Sequence, residues 1–140
     1  MYKNTDYTTL RHSGPKVSVL TMGTFTFGGA GPFAMVGAQD VAEARKLVDL
    51  CIAAGVNLFD TSNMYSIGLS EEILSEVLLD HRDDVLISSK ARMPVGKGPN
   101  DEGASRHHLI RACARSLKCL QTDRIEIYYI REWDGTTPAE

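Results

Sequence analysis

Short β-prone apolar runs alternate with amphipathic helical stretches along this chain, and each run ends abruptly in polar or charged residues. The ends fall at Gly23-Thr24, Asp60, Lys90 and Arg131, with a helical pattern between each pair. Strands separated by helices are joined by crossovers, so the sheet is expected to be parallel, with right-handed connections. The run ends then gather at one edge of the sheet. That edge is where open parallel sheets and barrels keep their chemistry.

Taken in order, Tyr7–Leu10 and Val17–Leu20 flank His12-Ser13-Gly14-Pro15 and read as a hairpin. The second run continues into Thr21–Thr24, the expected first parallel strand. Residues 27–32 are rich in glycine but open no helix directly, so they read as a long flexible loop over the strand ends rather than a phosphate cradle. Asp40 and Glu43 form a capping-box pattern ahead of a helix whose inner face is Val41, Ala44, Leu47, Val48, Cys51 and Ile52. Gly55 closes it in the left-handed conformation, and Val56–Phe59 is the second strand. Ser70 is the expected cap of the next helix, with Glu71 and Glu72 in its first turn and Ile73, Leu74, Val77 and Leu78 as its buried stripe.

The third strand begins Val85-Leu86-Ile87, and the loop from Ala91 to Gly103 is a candidate substrate loop. Ser105 caps a third helix with Leu109, Cys113, Leu117 and Leu120 inward, and Arg124–Ile130 is the fourth strand. Thr137-Pro138-Ala139-Glu140 has the pattern of a helix start, as if the chain were cut at the opening of a fourth helix.

A net charge of −3 without a Lys/Arg cluster argues against nucleic acid and against a membrane surface. No apolar run approaches the roughly 18 residues that span a bilayer, and Met1–Asp6 lacks the apolar centre of a signal peptide. Cys51, Cys113 and Cys119 form no CxxC, and Cys51 and Cys113 fall on apolar helix faces, which reads as reduced thiols in a cytoplasmic protein. His107 and His108 are adjacent on a helix and so face different ways, and no metal is expected.

The chemistry concentrates between Leu58 and Lys90. Asp60 stands at one strand end, Tyr65 follows in the next loop, and Lys90 ends the neighbouring strand. An ammonium within hydrogen-bond reach of a phenol favours the phenolate, and a carboxylate holds that ammonium charged and oriented. Taken singly, the acid is an ordinary loop cap and the lysine an ordinary solvated charge. As a set on adjacent strand ends, they form a proton-transfer group.

With these positions in hand, the sequence resembles the aldo-keto reductase family from about Tyr7 onward. The resemblance rests on Met22-Gly23-Thr24, on Gly55 through Thr61 with Tyr65, and on Gly68-x-Ser70-Glu71-Glu72. Ser88-Ser89-Lys90, Gly103-x-Ser105-Arg106 and the stretch from Asp123 to Tyr129 leading to Trp133-Asp134 complete it. It implies an α/β fold of the parallel (β/α) barrel type that binds NADP(H) and reduces aldehydes or ketones. It also implies Tyr65 as proton donor with Asp60 and Lys90 as its partners. Gly23, Thr24 and Asp60 would lie against the nicotinamide, and Trp133 would wall the substrate pocket.

Arg131 stands where the family has a catalytic histidine. A guanidinium is always charged and forked: it can polarise a carbonyl, or equally pair with Asp60 or Glu132 and block the pocket, and much reduced carbonyl reduction is expected. A whole barrel takes about 250 residues. The 140 here are expected to form one partial domain, a hairpin over 1–20 and four βα units over 20–136. Such a half barrel leaves one sheet face uncovered, notably along Val85–Ile87 and Ile125–Ile130, and self-association is expected. The competing expectation is a non-enzymatic truncated relative that binds itself or a partner through that face.

Overall fold

In the computed structural model, residues 5–138 are described; the polar start at Met1–Asn4 and the Ala139-Glu140 part of the expected helix opening lie outside them. Four strands, β3 (Met22–Gly23), β4 (Leu58–Asp60), β5 (Leu86–Ala91) and β6 (Ile127–Ile130), pair in that order, all parallel. The helices α1 (Val41–Ala53), α2 (Leu69–Val77) and α3 (Arg106–Cys119) connect them in turn. A separate antiparallel hairpin, β1 (Tyr7–Thr9) with β2 (Lys16–Ser18), stands at the amino ends of the strands. It is tied there through Asn57, whose Oδ1 accepts from Ser18 N at 2.8 Å and whose Nδ2 donates to Lys16 O at 3.0 Å.

The core lies between sheet and helices, where Phe27, Phe59, Ile73, Leu74, Val77, Leu78, Ile87 and Leu120 are buried together. Each such side chain contributes about 1.5–3 kcal/mol by leaving water. The whole expected α2 stripe belongs to this core. At α1 the capping box forms as expected, Glu43 N donating to Asp40 Oδ1 at 2.9 Å, and Gly55 follows the helix with φ of 90°.

Several local expectations are corrected. Val19 and Leu20 belong to no strand and are exposed, because the chain leaves the hairpin at Ser18 and re-enters the sheet only at Met22. Leu47 points outward from α1, whose buried line is Ala44 and Val48. The fourth strand starts at Ile127 rather than Arg124. Just before it, Glu126 N donates to Ile87 O at 3.1 Å, but the Ile87 N–H goes to the Glu126 carboxylate at 2.7 Å, which Arg82 holds at 2.9 Å, so a side chain takes one half of the ladder there.

Ser70 does not cap α2. The backbone turns left-handed at Ser66, Ile67 and Gly68, starting the helix early and leaving Ser70 inside its first turn. On α3 the Ser105 cap forms, but the most buried line is His108, Ala112 and Ser116, while Leu109, Cys113 and Leu117 are half-buried.

The glycine-rich segment is packed rather than loose. Phe27 is fully buried, and Gly28 N and Gln39 N close the segment onto Gln39 O and Thr26 O at 2.9 and 3.1 Å. At Gly29, φ is 76° and an added Cβ would stand 2.7 Å from Gly37 O, so only glycine fits. Val85 and Ile87 lie on the helix-covered face, in the core; on the opposite face Leu58 and Ser88 are buried, Leu86 is half-buried, and Tyr129 near the end of β6 is exposed.

Candidate active site

Parallel register sets the site. Gly23 pairs with Asp60 and Asp60 with Ser88, so β3 and β4 end level, while β5 runs on for three residues beside β6 and pairs Lys90 with Tyr129. Side chains alternate along a strand, which puts Ser88 and Lys90 on one face of β5 and Ser89 on the other. Lys90 Nζ lies 2.6 Å from Asp60 Oδ2 and donates to Thr61 O at 2.8 Å. Its remaining donor faces Tyr65 Oη at 3.5 Å, and the ammonium also stands 5.1 Å from the centre of the tyrosine ring. The other carboxylate oxygen of Asp60 accepts from Ser88 Oγ at 2.6 Å. Both members of the pair are largely shielded from solvent (side chains 26% and 17% exposed for Asp60 and Lys90). The three residues expected from the sequence are therefore brought together in one hydrogen-bonded group.

Tyr65 is buried, and aromatic neighbours hold its ring. Phe25 meets it edge-on with centroids 5.0 Å apart, and Phe33 lies 6.2 Å away, tilted. Ser66 fastens the same segment to the glycine-rich loop, donating to Phe27 O at 2.7 Å and accepting from Gly29 N at 2.9 Å. Phe25 and Phe33 were missed in the sequence. The signal was the Thr24-Phe25-Thr26-Phe27 alternation directly after a strand end, which continues a β-like pattern into the loop.

An open cavity of about 600 Å³ is lined by Asp60, Tyr65, Lys90, Tyr129, Ile130, Arg131 and Glu132. Arg131 thus faces the same space as Tyr65. It pairs neither with Asp60, which Lys90 and Ser88 hold, nor with Glu132, which leans toward Arg92 at 3.8 Å.

Two other expected residues lie elsewhere. Trp133 is largely exposed and donates through Nε1 to Thr137 O at 2.7 Å, outside the lining of this cavity. Thr24 is fully buried, its hydroxyl directed to Asp60 O at 3.2 Å and to Ser70 Oγ at 2.8 Å, so its side chain ties the end of β3 to β4 and α2. Gly23 is exposed, with nothing within 4 Å of where a Cβ would stand.

Behind the sheet, Glu71 is fully buried and accepts from Ser89 Oγ at 2.7 Å. Burial pushes its carboxyl above the usual range, against the lowering effect of its serine neighbours. Burial likewise raises the Tyr128 phenol and the thiols of Cys51, Cys113 and Cys119, all of which are free. Among the described residues no cluster of three or more His, Cys, Asp or Glu could hold a metal ion, and no helix is long and apolar enough to cross a membrane.

A sequence model of the Aldo/keto reductase family matches residues 19–140. A probable voltage-gated potassium channel subunit beta from Oryza sativa subsp. japonica is 39% identical over 138 residues, covering 96% of this chain and 39% of that protein. An uncharacterized oxidoreductase, YrpG, of Bacillus subtilis (strain 168) is 33% identical over 144 residues, covering 95% of this chain and 42% of the relative. Among solved structures, a putative aldo-keto reductase from Pseudomona aeruginosa superposes with a TM-score of 0.78 at 32% identity, covering 96% of this chain and 49% of that one. An aldo-keto reductase from Bacillus halodurans, in its holo form, gives 0.70 at 28% identity over 89% of this chain and 39% of its own. This chain spans about two fifths of the length of those curated relatives. Its parallel units are correspondingly a portion of a (β/α) barrel.

Proposed function

The chain belongs to the aldo/keto reductase family, and from that premise we propose that its site serves NADP(H)-dependent reduction of an aldehyde or ketone, with Tyr65 as proton donor. The observation that carries the reading is the single ammonium of Lys90, 2.6 Å from the carboxylate of Asp60 and 3.5 Å from the phenol of Tyr65. Asp60 and Thr61 O fix the lysine; the lysine stabilises negative charge on the tyrosine oxygen as its proton leaves; Phe25 and Phe33 keep water from the ring. The residues present fit a nicotinamide: the exposed backbone of Gly23 is open to close approach by a flat ring, beside Asp60 in register. When bound, the cofactor supplies the hydride. Three free thiols suit a reducing compartment, and we place the protein in the cytoplasm.

Fluorescence titration with NADPH tests the binding half. Quenching that saturates in the micromolar range supports the reading, and silence up to millimolar cofactor counts against it. Tyr65→Phe tests the chemistry, with turnover of an aldehyde expected to fall by about a hundred- to ten-thousand-fold. An unchanged rate would remove Tyr65 from the role.

A second reading is favoured by the exposed apolar side chains Val19, Leu20, Tyr129 and Ile130. In it, the chain associates with itself or with a partner protein; two of its relatives are named as probable voltage-gated potassium channel beta subunits. Light scattering decides the self-association: a monodisperse monomer at micromolar concentration excludes it.

A further inference from the structure

We propose that Arg131 is a substrate-binding residue that selects carbonyl compounds bearing a carboxylate next to the reacting carbon, so that the substrate class is a 2-oxo acid; this rests on the carbonyl-reductase reading above. The charges lining the cavity are Asp60, Lys90, Arg131 and Glu132. Lys90 neutralises Asp60 at 2.6 Å, and Glu132 leans toward Arg92 at 3.8 Å, outside the cavity lining. Arg131 is left as a cation whose guanidinium has no acceptor among the described residues; only its backbone N–H is bonded, to Ala91 O at 3.1 Å.

That backbone bond extends the β5–β6 ladder by one residue. Alternation then puts the Arg131 side chain on the face shared by Tyr129 and Lys90. Strand geometry sets its Cα roughly 8 Å from that of Lys90. A carbonyl whose oxygen lies at Tyr65 Oη therefore has the guanidinium fork across the cavity from it. The fork matches a carboxylate through two parallel N–H···O bonds, a fit a neutral imidazole cannot offer.

The step balances. The carbonyl carbon gains a hydride from the reduced nicotinamide, the C=O π bond breaks, and the oxygen takes the proton of Tyr65. The products are a 2-hydroxy acid and the oxidised cofactor, with a solvent proton restoring the phenol.

The first test needs no turnover. Phenylglyoxal modification of Arg131, followed by peptide mass spectrometry, is expected to slow in the presence of pyruvate and not of its neutral ester, methyl pyruvate. The exposed Arg111 and Arg124 serve as internal controls. Equal protection by acid and ester, or none by either, overturns the proposal.

In kinetics, the wild type is expected to prefer pyruvate over methyl pyruvate in kcat/KM, and Arg131→Gln should reduce that preference by at least about tenfold, with Arg131→Lys intermediate. A preference that survives Arg131→Gln, or a wild type faster on the ester, overturns the 2-oxo acid assignment and leaves carbonyl reduction standing. Pyruvate protection with reduction of neither compound instead overturns the reductase reading, and the substrate assignment with it, while supporting the anion contact.

Discussion

Ser89 donates its hydroxyl proton to Oε1 of Glu71 at 2.7 Å, on the face of β5 opposite the one that presents Lys90. One residue of the strand is thus anchored to α2 while its neighbour is held at Asp60, so the anchor behind the sheet bears on the height of the ammonium in front of it. Glu71 is fully buried and its second oxygen has no hydrogen-bond partner, an arrangement that favours the protonated acid.

The first prediction follows from that burial. The Glu71 carboxyl is raised above its ordinary value of 4.5, chiefly by desolvation. The folded chain therefore binds this proton more tightly than the unfolded chain does. The stability linked to it is fully present below the ordinary value and is lost as pH rises through the folded one. Glu71→Gln keeps an acceptor for Ser89 and has no charge to desolvate. It should match the wild type in acid and exceed it toward neutral pH, read as urea midpoints across a pH series. A difference that stays flat with pH would contradict this. Glu71→Ala, which strands the Ser89 hydroxyl, should cost about 1–3 kcal/mol.

What the sequence made legible is local or repeats with a short period. The capping box at Asp40 and Glu43 lies within one turn, and the α2 stripe needs only helical spacing. Asp60 and Lys90 were readable because each ends an apolar run, and the parallel register then brings them together. Ser70 misled because a serine ahead of two acids looks like a cap, while the left-handed turn at Ser66 and Ile67 that starts the helix sooner has no glycine at either position to announce it. Glu71 was readable only as a first-turn acid complementing the helix dipole; its burial comes from β5 and α3, which no local pattern reports. Phe25 and Phe33 reach Tyr65 from a loop, where contacts follow no period.

Ser66 supplies the second prediction. Its buried hydroxyl bridges Phe27 O and Gly29 N, joining the aromatic loop to the segment that carries Tyr65. Ser66→Ala leaves both groups without this partner and should destabilise by about 1–3 kcal/mol. Ser66→Gly removes the same bonds but relieves the φ of 49°, so its loss in thermal denaturation should be smaller. Equal losses would mean that the backbone there carries no strain.

Asp134 holds the loop that follows β6. Its carboxylate accepts from Ala104 N at 2.8 Å, Thr136 N at 3.0 Å, Thr137 N at 2.8 Å and Thr137 Oγ1 at 2.7 Å, and these bonds keep it well below its ordinary value of 3.8. A lowered carboxylate contributes stability above its unfolded pKa and loses it as pH falls through the folded one. Amide exchange at Thr136 and Thr137 should therefore stay slow at neutral pH and remain protected below the ordinary value. Asp134→Ala should speed exchange at both residues and at Ala104. Unaltered exchange at Ala104 in that variant would show that the loop is held by other contacts.

The last prediction concerns the pair at the centre of the site. Asp60 and Lys90 are neither fully exposed nor fully dry, so their coupling should fall between the figures for surface and buried pairs, about 1–3 kcal/mol in a double-mutant cycle of Asp60→Asn and Lys90→Met. Lys90→Met should be the more damaging single change. It leaves the Asp60 carboxylate with Ser88 alone, whereas Asp60→Asn leaves the ammonium bonded to Thr61 O at 2.8 Å. Denaturant unfolding of the four proteins supplies the cycle, and NADPH-linked reduction in each shows whether activity follows the ammonium or the pair. If Asp60→Asn retains turnover that Lys90→Met loses, the carboxylate acts by positioning. If both fall alike, holding the lysine charged and in place is inseparable from the chemistry at Tyr65.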